Sequence, residues 1–170
     1  MSLVEDVVTP LPPGRALDLA CGRGRWAHWL AERGWEVMAV DRDDDALAEV
    51  RTPTLKMDLE SGEPLPFADA TFDLVLIIRF LHRPLFDEAE RVLKPGGILI
   101  AEVLTTGRFA MSPAELEARF AGWEQVVTPS VSEGPGGAGG APILPPRSLA
   151  TLGMTSRPRP SYALAARRPG

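Results

Sequence analysis

Cysteine is nearly absent from this chain. Cys21 is the only one in 170 residues, which excludes an intramolecular disulfide and suits a reducing compartment. Histidine is scarce as well: His28 and His82 form no zinc-binding spacing with Cys21, so no metal site is expected. The single tyrosine, Tyr162, stands near the end of the chain. Basic residues do not dominate, with 18 Lys and Arg against 23 Asp and Glu and a net charge of −5. A nucleic-acid partner is therefore not expected, because such binders carry a basic face. No apolar run approaches a membrane span, and MSLVEDVVTPLPPG lacks the basic start and apolar segment of a signal peptide. These absences predict a cytoplasmic protein. What the chain does have is 45% hydrophobic residues, enough for one globular domain over 1–170 with a real core.

The stretch from Arg15 to Asp41 organises the rest. An apolar run, Ala16 to Ala20, is interrupted by Asp18 and followed by the small-residue turn Cys21-Gly22-Arg23-Gly24. A helical pattern carrying Trp26, Ala27, Trp29 and Leu30 ends at Gly34, and a second apolar run, Val37 to Val40, finishes on Asp41. Strand, glycine turn, helix, strand and acid is the order of a βαβ nucleotide-binding unit. Glycine lets backbone approach a ligand and take positive φ, and a carboxylate at Asp41 can accept both hydroxyls of a ribose. Gly22-x-Gly24-x-x-Ala27 also satisfies the dinucleotide fingerprint, which keeps NAD open. Asp18 tilts the choice, since an acid beside the turn repels a pyrophosphate and attracts a cation.

Asp18-Leu19-Ala20-Cys21-Gly22-Arg23-Gly24 resembles the acid-x-G-x-G motif of class I S-adenosylmethionine-dependent methyltransferases, with Ala20 where glycine usually stands. Two further segments carry the resemblance. PLPFADATFDLV, from Pro64 to Val75, is similar to P-x-P-F-x-D-x-x-F-D-x-V of small-molecule methyltransferases related to ubiquinone-pathway enzymes, and LKPGGILI (93–100) is similar to a third recurring motif. GRGRWAHWLAERG, VDRD and RFLHRPLF lean toward the tellurite-resistance-like group. The resemblance covers about residues 15–126. It implies an α/β Rossmann-like, doubly wound sheet of seven mostly parallel strands, the last antiparallel, with helices on both faces. It implies S-adenosylmethionine as cofactor and a small molecule as methyl acceptor. By the same resemblance Asp18 serves the methionine ammonium, and Ala20, Cys21, Gly22 and Gly24 line the turn. Asp41 takes the ribose, with Arg42 beside the adenine. Asp58 and Leu59 meet the adenine ring, and Ile78 closes the cofactor set at the end of the fourth strand.

Several residues carry a plainer alternative. Asp18 can instead satisfy backbone N–H groups of the turn, and Asp41 can cap the next helix. Asp43, Asp44 and Asp45 fit helix capping better than metal binding. Arg25 is open between a ligand carboxylate and solvent. His82, just past the fourth strand, is the candidate catalytic group because imidazole titrates near neutrality; the alternative is an anchor for the Arg83-Pro84 turn. Arg79 and Arg83 can orient an anionic acceptor or stay solvated, His28 is expected at the surface, and Cys21 is expected to pack.

Elsewhere Phe72 to Ile78 predicts a strand buried on both faces. Leu85 to Leu93 predicts a helix ended by Gly96-Gly97, and Ser112-Pro113-Ala114-Glu115 a capping box. Trp123 to Val131 predicts a sixth strand and Tyr162 to Ala166 a last one. Between them the Gly/Pro-rich stretch of about 133–160 is read as a flexible loop, and it and 104–111 are placed near the acceptor. Prolines 10, 12 and 13 leave little room for a helix before the first strand, so an exposed cofactor is expected. Two rival readings remain: a noncatalytic cofactor-binding module, and an NAD-dependent oxidoreductase needing a Tyr/Lys pair or another hydride-site group.

Overall fold

Apolar strands alternate with short amphipathic helices from the first residues onward. The structure, a computed structural model, describes residues 2–126, 130–132 and 159–170. A first helix, α1 (Leu3–Val8), precedes β1 (Arg15–Leu19), α2 (Arg25–Ala31), β2 (Glu36–Asp41), α3 (Asp44–Leu47) and β3 (Thr54–Lys56). There follow β4 (Phe72–Ile78), α4 (Leu85–Val92), β5 (Leu93–Leu104), α5 (Pro113–Arg119), β6 (Glu124–Gln125), β7 (Ser130–Ser132) and β8 (Ser161–Arg167).

The sheet runs β3-β2-β1-β4-β5-β8-β6, and β7 also pairs with β8. β1 to β5 are parallel to their neighbours, whereas β8 is antiparallel to β5. The sheet is thus the expected seven-stranded, doubly wound one, its outer position shared by two short segments. The order reverses between β1 and β4, and there the carboxyl ends of the strands open a crevice for ligands.

Side chains of β4 alternate between two cores. Val75 and Ile77 meet Leu85, Phe86, Ala89 and Val92 of α4, whereas Leu74 and Leu76 meet α1 and α2. This double burial explains the unbroken apolar run. β1 follows the same alternation, which turns Leu17 and Leu19 toward α4 and Asp18 toward α2.

Three expectations are corrected. α1 exists, opened by a complete capping box between Ser2 and Glu5, and it buries Leu3, Val4, Val7 and Val8. α4 stops at Val92 rather than at the glycines. Its last carbonyls are met by the incoming loop, Ala70 N–H on Arg91 at 2.9 Å and Thr71 N–H on Val92 at 2.8 Å. Leu93 then pairs at once with Phe72, and Gly96, at φ +77°, sits within the irregular start of β5. The sixth strand is two segments, β6 and β7, and residues 127–129 between them lie outside the described residues. The Gly/Pro-rich loop lies outside them as far as residue 158. Among the described residues no helix is long and apolar enough to cross a membrane.

The loop 61–71 has no regular structure, yet it is fastened to α4. Arg91 donates to the carbonyls of Leu65 and Phe67 at 2.9 and 2.8 Å and to Asp69 at 2.8 Å. Glu88 holds Arg91 and accepts the Leu65 N–H at 2.7 Å. Phe67 stands edge-on to Phe72, centroids 5.2 Å apart.

Candidate functional site

The first turn is built by backbone needs before chemistry. Ala20, Gly22 and Gly24 all take left-handed φ, at +58°, +54° and +79°. At Gly24 a Cβ would meet Val50 Cγ2 at 2.9 Å, so the position requires glycine both sterically and conformationally. At Gly22 the space where a Cβ would stand is open, so its positive φ alone favours glycine there. Ala20 carries the left-handed geometry with a side chain, the strained version of the glycine that the motif usually has.

Asp18 is 2% exposed and lies under α2. Burial raises its carboxyl to about 7; a hydrogen bond from the Ala27 N–H opposes the rise, and the nearby Asp41 charge adds to it. Its Oδ2 is buried and has no hydrogen-bond partner. The backbone-satisfying role expected as the alternative is therefore only half filled. One oxygen remains for a cation, and the ammonium of S-adenosylmethionine has the charge and donors to satisfy it.

Asp41 ends β2 and joins two loops: Oδ2 accepts the Gly22 N–H at 2.8 Å and Oδ1 the Asp43 N–H at 3.0 Å. It does not cap α3. Asp43 does that, accepting from Asp45 and Ala46 at 2.9 and 3.3 Å. Asp44 pairs with Lys56. Among the described residues no group of His, Cys, Asp and Glu is arranged to hold a metal.

Asp41 opens on a cleft of about 180 Å³ that is also lined by Ala20, Arg42, Met57, Asp58, Leu59, Glu60 and Phe80. Five residues singled out in the sequence thus meet in one cavity: Ala20, Asp41, Arg42, Asp58 and Leu59. Arg42 reaches Glu60 at 3.2 Å and stands 3.9 Å from Asp58, whose Oδ1 accepts the Glu60 N–H at 3.0 Å. The other expected residues lie apart from the lining. Ile78 packs with the α1–α2 core. Cys21 is half-buried, and burial, with Asp18 and Asp41 nearby, pushes its thiol up to about 12, which removes it as a nucleophile at neutral pH. Arg25 stacks on Trp26, 4.7 Å from the ring centroid. His28 is half-buried rather than fully exposed, its Nε2 accepting the Arg51 N–H at 2.9 Å. His82 is half-buried and gives its carbonyl to the Leu85 N–H at 2.9 Å, the start of α4; it does not line the cleft. Arg83 is committed to Glu115 at 2.6 Å.

A second cavity of about 250 Å³ adjoins the first, sharing Arg42, Glu60 and Phe80 and adding Arg79, Leu81, Leu104 and Phe109. The sequence did not single out Met57, Glu60 or Phe80, whereas Leu104 and Phe109 fall within the 104–111 segment expected near the acceptor. Met57 and Phe80 had one usable signal, their places just past the carboxyl ends of β3 and β4. Glu60 sits on an irregular segment and had none.

Known proteins share parts of this sequence and its fold. A demethylmenaquinone methyltransferase of Renibacterium salmoninarum is 37% identical over 105 residues, covering 58% of this chain and 44% of that protein. A SAM-dependent methyltransferase structure from Methanosarcina mazei superposes with TM-score 0.69 at 16% identity, over 99% of both chains. TehB from Haemophilus influenzae superposes with TM-score 0.73 at 16% identity, over 97% of this chain and 61% of its own. The chain spans 40% and 45% of the length of two further curated relatives. Residues 17–101, half of the chain, match the family described as a methyltransferase domain. With that match, the orphaned acid of Asp18, the Asp41 clasp and the sheet order, this chain belongs to the class I S-adenosylmethionine-dependent methyltransferases.

Proposed function

We propose that the chain transfers a methyl group from S-adenosylmethionine to a small-molecule acceptor. The observation that carries the reading is the pair of carboxylates flanking the turn. Asp18 is buried with one oxygen unpartnered, and Asp41 is clamped by the Gly22 and Asp43 N–H groups at the mouth of the cleft. Asp18 suits the methionine ammonium, Asp41 the ribose hydroxyls, and Asp58 and Leu59 the adenine side of the cleft. Held by these residues, the cofactor would supply an electrophilic methyl on a sulfonium, with a neutral thioether as leaving group and the acceptor's lone pair as nucleophile. The acceptor's proton, where it has one, leaves to water or a base. The chain contributes orientation, holding the acceptor in the adjoining cavity in line with the methyl.

Support for a small acceptor comes from the size of that cavity, about 250 Å³, and from the demethylmenaquinone methyltransferase relative. The NAD reading lacks a hydride-site tyrosine. Tyr162 is 4% exposed, donates to Glu117, and is pushed up to about 12 by burial and then by that carboxylate. Calorimetric titration with S-adenosylhomocysteine and, separately, NADH tests the reading. Binding of the first alone is expected; binding of NADH alone would overturn it. Release of S-adenosylhomocysteine with an acceptor panel separates an enzyme from a cofactor-binding module.

A further inference from the structure

Arg79 is the first residue beyond β4, and it holds a left-handed backbone, φ +57°, that a non-glycine side chain disfavours. Glu102, at its side on β5, fixes it twice. The Arg79 N–H donates to the Glu102 carbonyl at 2.7 Å, and Arg79 Nε donates to Glu102 Oε1 at 2.9 Å. Ser161 Oγ donates to the same Oε1 at 2.7 Å, tying the pair to β8. The guanidinium is therefore anchored by its inner nitrogen. Its Nη1 and Nη2 donate to no acceptor among the described residues, and Arg79 lines the second cavity. Apart from the paired Arg42 and Glu60, the rest of that wall is apolar: Phe80, Leu81, Leu104 and Phe109. Phe109 is 61% exposed, the one large hydrophobic side chain so exposed among the described residues, as a wall awaiting a ligand would be.

Charge narrows the class. Both cations in the wall already have carboxylates, Arg42 with Glu60 at 3.2 Å and Arg79 with Glu102 at 2.9 Å. An oxyanion entering the cavity thus meets little net positive charge and gives up its own hydration against four hydrophobic side chains that cannot replace it. A ring compound with one oxygen covers those side chains and gives the two Nη groups an acceptor.

We infer that the second cavity takes an uncharged, flat, apolar compound bearing a hydrogen-bond-accepting oxygen, with Arg79 as the residue that orients it. The inference rests on the proposed reaction, whose acceptor site this cavity would be. Its test is binding, measured by calorimetry on the full chain with and without saturating S-adenosylhomocysteine, using 2-naphthol, naphthalene and tellurite as probes. 2-Naphthol is expected to bind at least tenfold more tightly than naphthalene, and tellurite not to compete. Arg79→Met is expected to abolish the preference for 2-naphthol while S-adenosylhomocysteine still binds as in the wild type. Phe109→Ala, a change at an exposed position, is expected to weaken both ring compounds severalfold and keep their ratio. Tellurite binding more tightly than 2-naphthol, or a ratio unmoved by Arg79→Met, overturns the inference. Loss of S-adenosylhomocysteine binding in the wild type would overturn the cofactor reading instead, and the titrations without it would still decide the cavity.

Discussion

Replacing Asp18 by Asn separates what this residue does for the fold from what it does for the ligand. In the ligand-free protein the carboxyl sits at about 7 against 3.8 for a free aspartate. At about 1.36 kcal/mol per pH unit that displacement amounts to roughly 4 kcal/mol, an upper figure. The sign follows from proton binding. The folded chain holds this proton more tightly than the unfolded chain, so the contribution of Asp18 to stability is greatest below pH 3.8, falls through the window from 3.8 to about 7, and levels off above it. Asparagine removes the ionisation but places an amide where Oδ2 had no partner, at a cost of about 1–3 kcal/mol. The variant should thus be more stable than the wild type by about 1–3 kcal/mol at pH 8 and less stable at pH 4. Its affinity for S-adenosylhomocysteine should fall by roughly ten- to hundredfold, the worth of one charge-assisted hydrogen bond. Urea denaturation followed by tryptophan fluorescence at both pH values gives the stabilities, and their difference isolates Asp18 from the other acids. A variant that is less stable than wild type at pH 8 and still binds the ligand normally would refute the reasoning, because the acid would then be structural.

Other outcomes follow from neighbouring contacts. Ligand binding near pH 7 should release about half a proton as Asp18 ionises against the ammonium, visible as a buffer-dependent heat in phosphate against Tris; a buffer-independent heat would contradict it. Asp41→Ala should fold, losing about 1–2 kcal/mol for the Gly22 and Asp43 N–H groups it strands, and should lose most affinity for S-adenosylhomocysteine in calorimetry. Ala20→Gly should raise stability by about 0.5–1 kcal/mol, relief of the left-handed strain less the entropy of glycine; thermal denaturation that shows a loss would mean the methyl packs better than its φ suggests.

The sequence reveals most where local pattern and burial coincide. β4 runs from Phe72 to Ile78 as its apolar run predicts, and the turn around Gly22 and Gly24 has the geometry that glycine spacing implies. Asp41, Arg42, Asp58 and Leu59 come together because each follows or ends a parallel strand, and the topology gathers those ends. What escapes the sequence depends on partners far along the chain. Nothing local marks Glu102 as the residue that bends Arg79, since Ser161 completes the arrangement from β8. His82 looks catalytic by residue type, but its place is set by the start of α4. The split outer strand is invisible for a related reason: Glu124 and Gln125 are both exposed and carry no alternation to read. α1 is written locally in the Ser2/Glu5 pair and its leucine and valines, and the prolines that follow end it without preventing it.

The fastening of loop 61–71 by Arg91 changes what kind of segment it is. Surface connections ordinarily tolerate added or deleted residues, because loop closure varies slowly with length. Here the carbonyls of Leu65 and Phe67 and the carboxylate of Asp69 must all arrive at one guanidinium, and Leu65 N–H must reach Glu88. The stretch from Leu65 to Asp69 is therefore fixed in length as firmly as a strand. A single inserted residue between Leu65 and Asp69 should set β4 out of step with α4, whereas the same insertion at exposed Ser61 or Gly62 should pass unnoticed.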